Sequence, residues 1–214
     1  MCFESLIFDL DGVLIDSEVI FKKAMSKTFA DFEMPLDDAE VAFMLGRSSR
    51  DLIPEFLTMR GVTDQKEYIE VLEAYLHNHN QLWEAEIRLM PFAAEVIRTL
   101  RHCSVPLAIA TASRSSIVAR FIEKFGFKDV FRCVVSGDMV NKRKPDPEVY
   151  NRVIDLLGVP REGILVIEDT DVGVRAAKAA GLACAAVWNE HSASHDFSMA
   201  DYVFPTLKYI PALF

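Results

Sequence analysis

The strongest constraint on the fold of this chain is an alternation of two textures. Short apolar, β-branched or aromatic runs occur at residues 5–8, 105–110, 131–135, 164–167, 185–188 and 202–204. Most are rich in β-branched or aromatic side chains and lack polar alternation, as strands of a parallel sheet require when helices cover both faces. Between the later runs, apolar residues recur at helical spacing over 93–101, 115–125, 147–157 and 172–180. Gly126, Gly158 and Gly181 follow three of these stretches, where a helix end favours left-handed backbone. The repetition predicts an α/β fold with a doubly wound, Rossmann-like parallel sheet.

The segment 16–89 breaks this rhythm. Ile20, Phe21, Ala24, Met25, Phe29 and Phe32 form one helical stripe, and further helical stretches cover 50–59 and 66–83 with no convincing strand among them. The segment carries 15 acidic against 8 basic residues, most of the chain's net charge of -9. An all-helical cap inserted after the first strand is expected, with residues 1–15 and 90–214 forming the α/β core.

Charge and length narrow the function classes. The acidic surface is a poor partner for nucleic acid or an anionic membrane. The longest uncharged stretch, residues 102–113, is far short of the ~20 apolar residues of a membrane span. The first ten residues have no basic leader and carry Glu4 inside their apolar run, so no secretory signal is expected. Cys2, Cys103, Cys133 and Cys184 are widely spaced, which fits free thiols in a reducing cytoplasm rather than a zinc site or disulfide framework. No heptad pattern or sustained exposed apolar stripe demands a partner, and a monomer is expected.

Ligand sites of parallel α/β sheets lie at the carboxyl ends of the strands. The first strand ends in Phe8-Asp9-Leu10-Asp11-Gly12, the second in Ala110-Thr111-Ala112-Ser113, and the fourth in Ile167-Glu168-Asp169-Thr170. A loop before a helix reads Lys142-Arg143-Lys144-Pro145-Asp146-Pro147. Each piece alone has a plainer role: turn formation for Asp9 and Asp11, helix capping for Thr111-Ala112-Ser113, a helix start for Asp146-Pro147. Capping does not explain acids at two strand ends with a hydroxyl and a lysine at two others, and buried like charges need a cation to hold them.

A phosphoryl-transfer site accounts for the set. Oxygen ligands such as Asp9, Asp169 and a loop carbonyl suit Mg²⁺. Residues two apart in extended chain project to one side, so Asp9 and Asp11 both face a substrate while Leu10 turns into the core. Thr111 and the amides around it, at a helix start, favour phosphate oxygens, and Lys144 adds a point charge.

In these residues the sequence resembles the haloacid dehalogenase-like hydrolase superfamily, in its phosphatase and phosphomutase branch. The resemblance rests on Asp9-Leu10-Asp11-Gly12-Val13, Thr111-Ala112-Ser113, Lys144-Pro145-Asp146-Pro147 and Glu168-Asp169-Thr170, in the family's order. It implies Asp9 as a nucleophile that forms an aspartyl-phosphate, and Asp11 as the acid that protonates the leaving oxygen and then activates water. It implies Mg²⁺ held by the Asp9 carboxylate, the Asp11 carbonyl and Asp169, with Glu168 as ligand or neighbour. Thr111, Ala112 and Lys144 would bind the phosphate of a small phosphorylated substrate.

Within the family, Asp11 argues against a dehalogenase, which lacks a second Asp two residues after the nucleophile. A β-phosphoglucomutase-like activity is the closer alternative. Such mutases carry a His shortly after the first motif, where this chain reads Asp16-Ser17-Glu18-Val19-Ile20-Phe21. A phosphatase is therefore expected, for a small phosphorylated metabolite such as a sugar phosphate, and a non-catalytic binding module is the third alternative. In the segment Leu45-Gly46-Arg47-Ser48-Ser49-Arg50-Asp51, Arg47 is the leading substrate contact, with Arg114 a weaker one. His77, His79 and Trp83 are assigned to the surface and core of the cap. Relatives have Pro-Gly where this chain has Pro91-Phe92, and because Phe does not easily take positive φ, a different hinge geometry is expected there.

Overall fold

The computed structural model describes residues 3–44, 48–192 and 195–214. The chain divides into two compact units, residues 1–15 with 89–214, and residues 16–88. Leu89, assigned above to the helical segment, forms an isolated antiparallel bridge with Ile15 and falls in the first unit.

The first unit is built on six parallel strands. They are β1 (Ser5–Phe8), β2 (Leu107–Ala110), β3 (Cys133–Val135), β4 (Ile164–Glu168), β5 (Ala183–Val187) and β6 (Tyr202–Phe204), in spatial order β3-β2-β1-β4-β5-β6. The residues of β1, β2 and β4 are buried throughout, as their unbroken apolar runs predict, whereas edge strand β6 leaves Val203 exposed. β2 starts at Leu107, two residues later than the apolar run, because Pro106 has no N–H to give a ladder and instead accepts from Leu6 through its carbonyl.

The helices of this unit are α5 (Ala93–His102), α6 (Ser115–Lys124), α7 (Glu148–Leu157) and α8 (Asp171–Ala179). Strand order runs outward from β1 to β3 on one side and from β4 to β6 on the other. Right-handed crossovers then place α5 and α6 on one face and α7 and α8 on the opposite face. Val149, Tyr150 and Val153 of α7 and Val174 and Ala177 of α8 share a core with Ile7, Ala108, Val166 and Cys184 of the sheet. The order reverses between β1 and β4, and the crevice beyond their carboxyl ends is where such sheets bind ligands. α7 starts one residue later than the Asp-Pro pair suggested. Asp146 Oδ1 accepts from Glu148 N at 3.0 Å, and Pro147 occupies the cap position.

Phe92 corrects the expectation drawn from its side chain. It takes φ 67° and ψ -3°, the left-handed backbone that a glycine adopts without strain. The cost is about 1 kcal/mol. In return the turn delivers Val96 N to Phe92 O at 2.9 Å, which opens α5.

The second unit is helical: α1 (Ser17–Asp31), α2 (Asp38–Met44), α3 (Ser49–Met59) and α4 (Gln65–Glu86). Ala24, Met25 and Phe29 of the α1 stripe pack with Leu52, Ile53, Phe56, Val71 and Tyr75. Helix α2 had no periodic signal because it is only seven residues long. Its mark is a reciprocal cap, in which Asp37 Oδ1 accepts from Glu40 N at 2.8 Å and Glu40 Oε2 accepts from Asp37 N at 2.9 Å. Among the described residues no helix is long and apolar enough to cross a membrane. Cys103, Cys133 and Cys184 are free thiols.

Candidate active site

Asp9 follows β1 directly, and its N–H donates to Ile167 O of the neighbouring β4 at 3.0 Å. The backbone thus fixes the end of β1 against the strand that ends in Glu168. Leu10 is fully buried, so the next outward side chain is Asp11. Gly12 then turns with φ 74°, and a Cβ there would lie 1.9 Å from Asp169 Oδ2. Only glycine permits that approach.

Asp9, Glu168 and Asp169 are all buried, and each brings a carboxylate oxygen within 4.8 Å of the others. Lys144 reaches them from the loop before α7. Its Nζ donates to Asp9 Oδ1 at 2.6 Å, to Glu168 Oε1 at 2.6 Å and to Ala110 O at 3.1 Å. The ammonium also lies 4.9 Å from the ring centre of Tyr150, whose hydroxyl donates to Glu168 Oε1.

The electrostatics follow from burial. Removal from water pushes the Asp9 carboxyl up to about 8; Lys144 opposes this, while Glu168 and Asp11 add to it. Burial pulls Lys144 down, but Asp9 and Glu168 outweigh it and hold the ammonium above its usual range. Tyr150 is raised by burial and by the Glu168 and Asp9 charges, so its hydroxyl stays protonated and donates. With all three buried carboxyls ionised, one ammonium would leave two negative charges in excess, and the donor set is all oxygen. A hard divalent cation fits that cluster.

Asp11 sits in a separate environment. Ser113 Oγ donates to its Oδ2 at 2.6 Å, and Thr111 Oγ1 approaches the same oxygen at 3.4 Å. Thr111 Oγ1 also accepts from Ser113 N at 2.9 Å. The helix-start amides are partly committed, because Ser115 N, at the first position of α6, donates to Asp138 Oδ1 at 2.9 Å. Among the described residues the Ala112 amide has no hydrogen-bond partner, and Ala112 is exposed. Its carbonyl is closely covered by Gly137, where a Cβ would come within 2.1 Å.

The structure therefore brings Asp9, Lys144, Glu168 and Asp169 into one cluster and sets Asp11 with Thr111 and Ser113. Arg47 lies outside the described residues. Arg114 is exposed at the cap position of α6, Trp83 is buried, His77 is exposed, and the ring of His79 packs 5.6 Å from that of Tyr75. Neither Tyr150 nor Asn189 is marked out in the sequence. Tyr150 reads as an ordinary core position of α7, and Asn189 as a loop residue beyond β5.

Gly173, in the first turn of α8, packs so tightly on Glu168 that an added Cβ would lie 2.0 Å from its carboxylate carbon. Glu168 cannot yield without leaving Lys144 and Tyr150. Gly173→Ala is expected to cost about 1–3 kcal/mol. A denaturant midpoint equal to that of wild type would contradict the packing described.

The chain matches the family described as haloacid dehalogenase-like hydrolase over residues 6–187. It is 30% identical to protein CbbY of Cereibacter sphaeroides, over 92% of this chain and 90% of that protein. A phosphorylated carbohydrates phosphatase of Thermotoga maritima is 28% identical over 84% of this chain and 82% of its own length. The crystal structure of CbbY from Rhodobacter sphaeroides in complex with phosphate has a TM-score of 0.78 at 28% identity, covering 94% of this chain and 93% of that one.

Proposed function

Because the chain belongs to the haloacid dehalogenase-like hydrolase family, we propose that it is a Mg²⁺-dependent phosphomonoester hydrolase working through an aspartyl-phosphate. Enzymatic phosphatase activity on a phosphorylated metabolite is supported by its relatives, and the phosphorylated carbohydrates phosphatase supports a sugar phosphate in particular. The observation that carries the reading is the buried cluster of Asp9, Glu168 and Asp169 around a single Lys144. The free thiols support a cytoplasmic location.

In this reading Asp9, the Asp11 carbonyl and Asp169 would hold Mg²⁺. Bound there, the ion would offset negative charge on the phosphoryl oxygens. Lys144 occupies Asp9 Oδ1, which leaves Oδ2 as the attacking atom. Oδ2 forms a bond to phosphorus as the bond from phosphorus to the leaving oxygen breaks. Asp11 gives its proton to that oxygen, then takes one from the water that attacks phosphorus and releases Asp9. Ser113 and Thr111 fix the Asp11 carboxyl through its Oδ2. The Ala112 amide and Lys144 bind the phosphoryl oxygens.

The test is phosphate release from a panel of sugar, nucleotide and small-acid phosphates, with Mg²⁺ and with chelator. The reading predicts release that requires Mg²⁺ and is greatest on a sugar phosphate. No release from any substrate by folded protein would overturn it. Conversion of β-glucose 1-phosphate to glucose 6-phosphate faster than hydrolysis would instead establish the mutase.

A further inference from the structure

Asn189 lies just beyond β5, buried at 8% exposure although its side chain is an amide. The start of its loop is tied to the sheet by Trp188 N, which donates to Phe204 O of β6 at 2.8 Å. From that base the Asn189 side chain spans two other strand ends. Its Nδ2 donates to Gly12 O at 3.0 Å and to Asp169 Oδ2 at 3.0 Å, while its Oδ1 accepts from His191 N at 2.8 Å.

Ser192, three residues on and also buried, completes the arrangement. Its Oγ accepts from Asn189 N and donates to Asp169 O, each at 3.2 Å. Asp169 is thus held at its carboxylate by Asn189 and at its main chain by Ser192. Gly12, one residue after Asp11, is held by the same amide group.

We propose that Asn189, braced by Ser192, is a positioning residue that sets Asp169 and the turn after Asp11 for metal binding. The proposal rests on the reading above that Asp169 and the Asp11 carbonyl hold Mg²⁺. The residue type follows from the geometry. One nitrogen must donate twice, and one oxygen must accept from His191. An Asp would lose both donors and set a second carboxylate against Asp169, whereas a Gln is one methylene too long for the same three partners. Partners of this kind fix the orientation of a metal-binding carboxylate before the ion arrives, and their loss weakens metal binding.

The experiment measures Mg²⁺ binding by titration calorimetry for wild type, Asn189→Ala and Ser192→Ala, each checked for folding by its Tm in chelator. Steady-state rates over a Mg²⁺ series accompany it. The Mg²⁺ dissociation constant is expected to rise about 10-fold in Asn189→Ala and by less in Ser192→Ala. Saturating Mg²⁺ should restore kcat of Asn189→Ala to within about 3-fold, because the carboxylate itself remains.

A purely structural role would lower Tm in chelator and leave the dissociation constant unchanged, and that result overturns the proposal. A kcat that saturating Mg²⁺ does not restore overturns it as well. Should Asn189→Ala not fold, Ser192→Ala decides, with an unchanged dissociation constant counting against the proposal. Wild-type protein that hydrolyses a phosphate ester without binding Mg²⁺ overturns the metal reading itself, and the positioning role with it.

Discussion

Asp9→Asn is expected to lower phosphate release by about 10⁴-fold or more, the scale of loss when a nucleophile is removed. The amide nearly matches the carboxylate in volume, so packing around β1 is kept. Lys144 retains Glu168 and Ala110 O as partners, so the ammonium is not orphaned. The metal-free protein should fold at least as well as wild type, because one of three crowded carboxylates is gone. Rate and stability therefore separate. Comparing phosphate release with the thermal transition in chelator tests both halves, and a variant that retained wild-type turnover would contradict the assignment of Asp9.

Lys144→Met is expected to damage both. The ammonium is the one cation donating to Asp9 and Glu168 among the described residues, and its side chain is only 9% exposed. Removing one partner of a buried charge cluster costs about 3–5 kcal/mol. For a chain of this size that lowers Tm by roughly 6–20 °C. Protons will partly replace the lost cation. In metal-free wild type the Asp9 carboxyl is already raised from 3.8 to about 8, first by burial. Its contribution is fully present below pH 4 and is lost as pH rises through about 8. Without Lys144, which holds Asp9 down, that loss must be larger. The deficit of Lys144→Met should accordingly be greater at pH 8 than at pH 5, and Mg²⁺ should narrow it. A Tm difference independent of pH and of Mg²⁺ would contradict the charge account.

The fold was largely legible because buried parallel strands impose a local signature. The run at residues 5–8 is β1 residue for residue, and residues 202–204 are β6. What escaped was either short or non-periodic. Helix α2 is announced only by the reciprocal cap of Asp37 and Glu40. The left-handed Phe92 went against its residue type, because the turn into α5 imposes a backbone that phenylalanine pays for in strain.

The site divides along a similar line. Acids at strand ends stand out in sequence, since capping alone does not account for them. Their supports do not. Ser113 meets Asp11 across 102 residues, and Asn189 meets Asp169 across 20. Nothing local distinguishes that Asn from any other loop residue. Tyr150 is hidden differently, since its ring belongs to the helical stripe of α7 while its hydroxyl and one ring face meet Glu168 and Lys144. Chemistry that uses an unusual residue type at a strand end can be read from sequence. Chemistry that borrows a core residue's polar tip, or a loop amide, waits for the fold.

The central claim is that Asp9 carries the phosphoryl group. Protein mixed with a ³²P-labelled sugar phosphate that it hydrolyses, with Mg²⁺, and quenched in acid within one turnover should retain label on the chain. An acyl phosphate survives that quench and is released by neutral hydroxylamine. The account predicts hydroxylamine-labile label on wild type and none on Asp9→Asn. Label on another residue, or hydrolysis by Asp9→Asn at the wild-type rate, would contradict it.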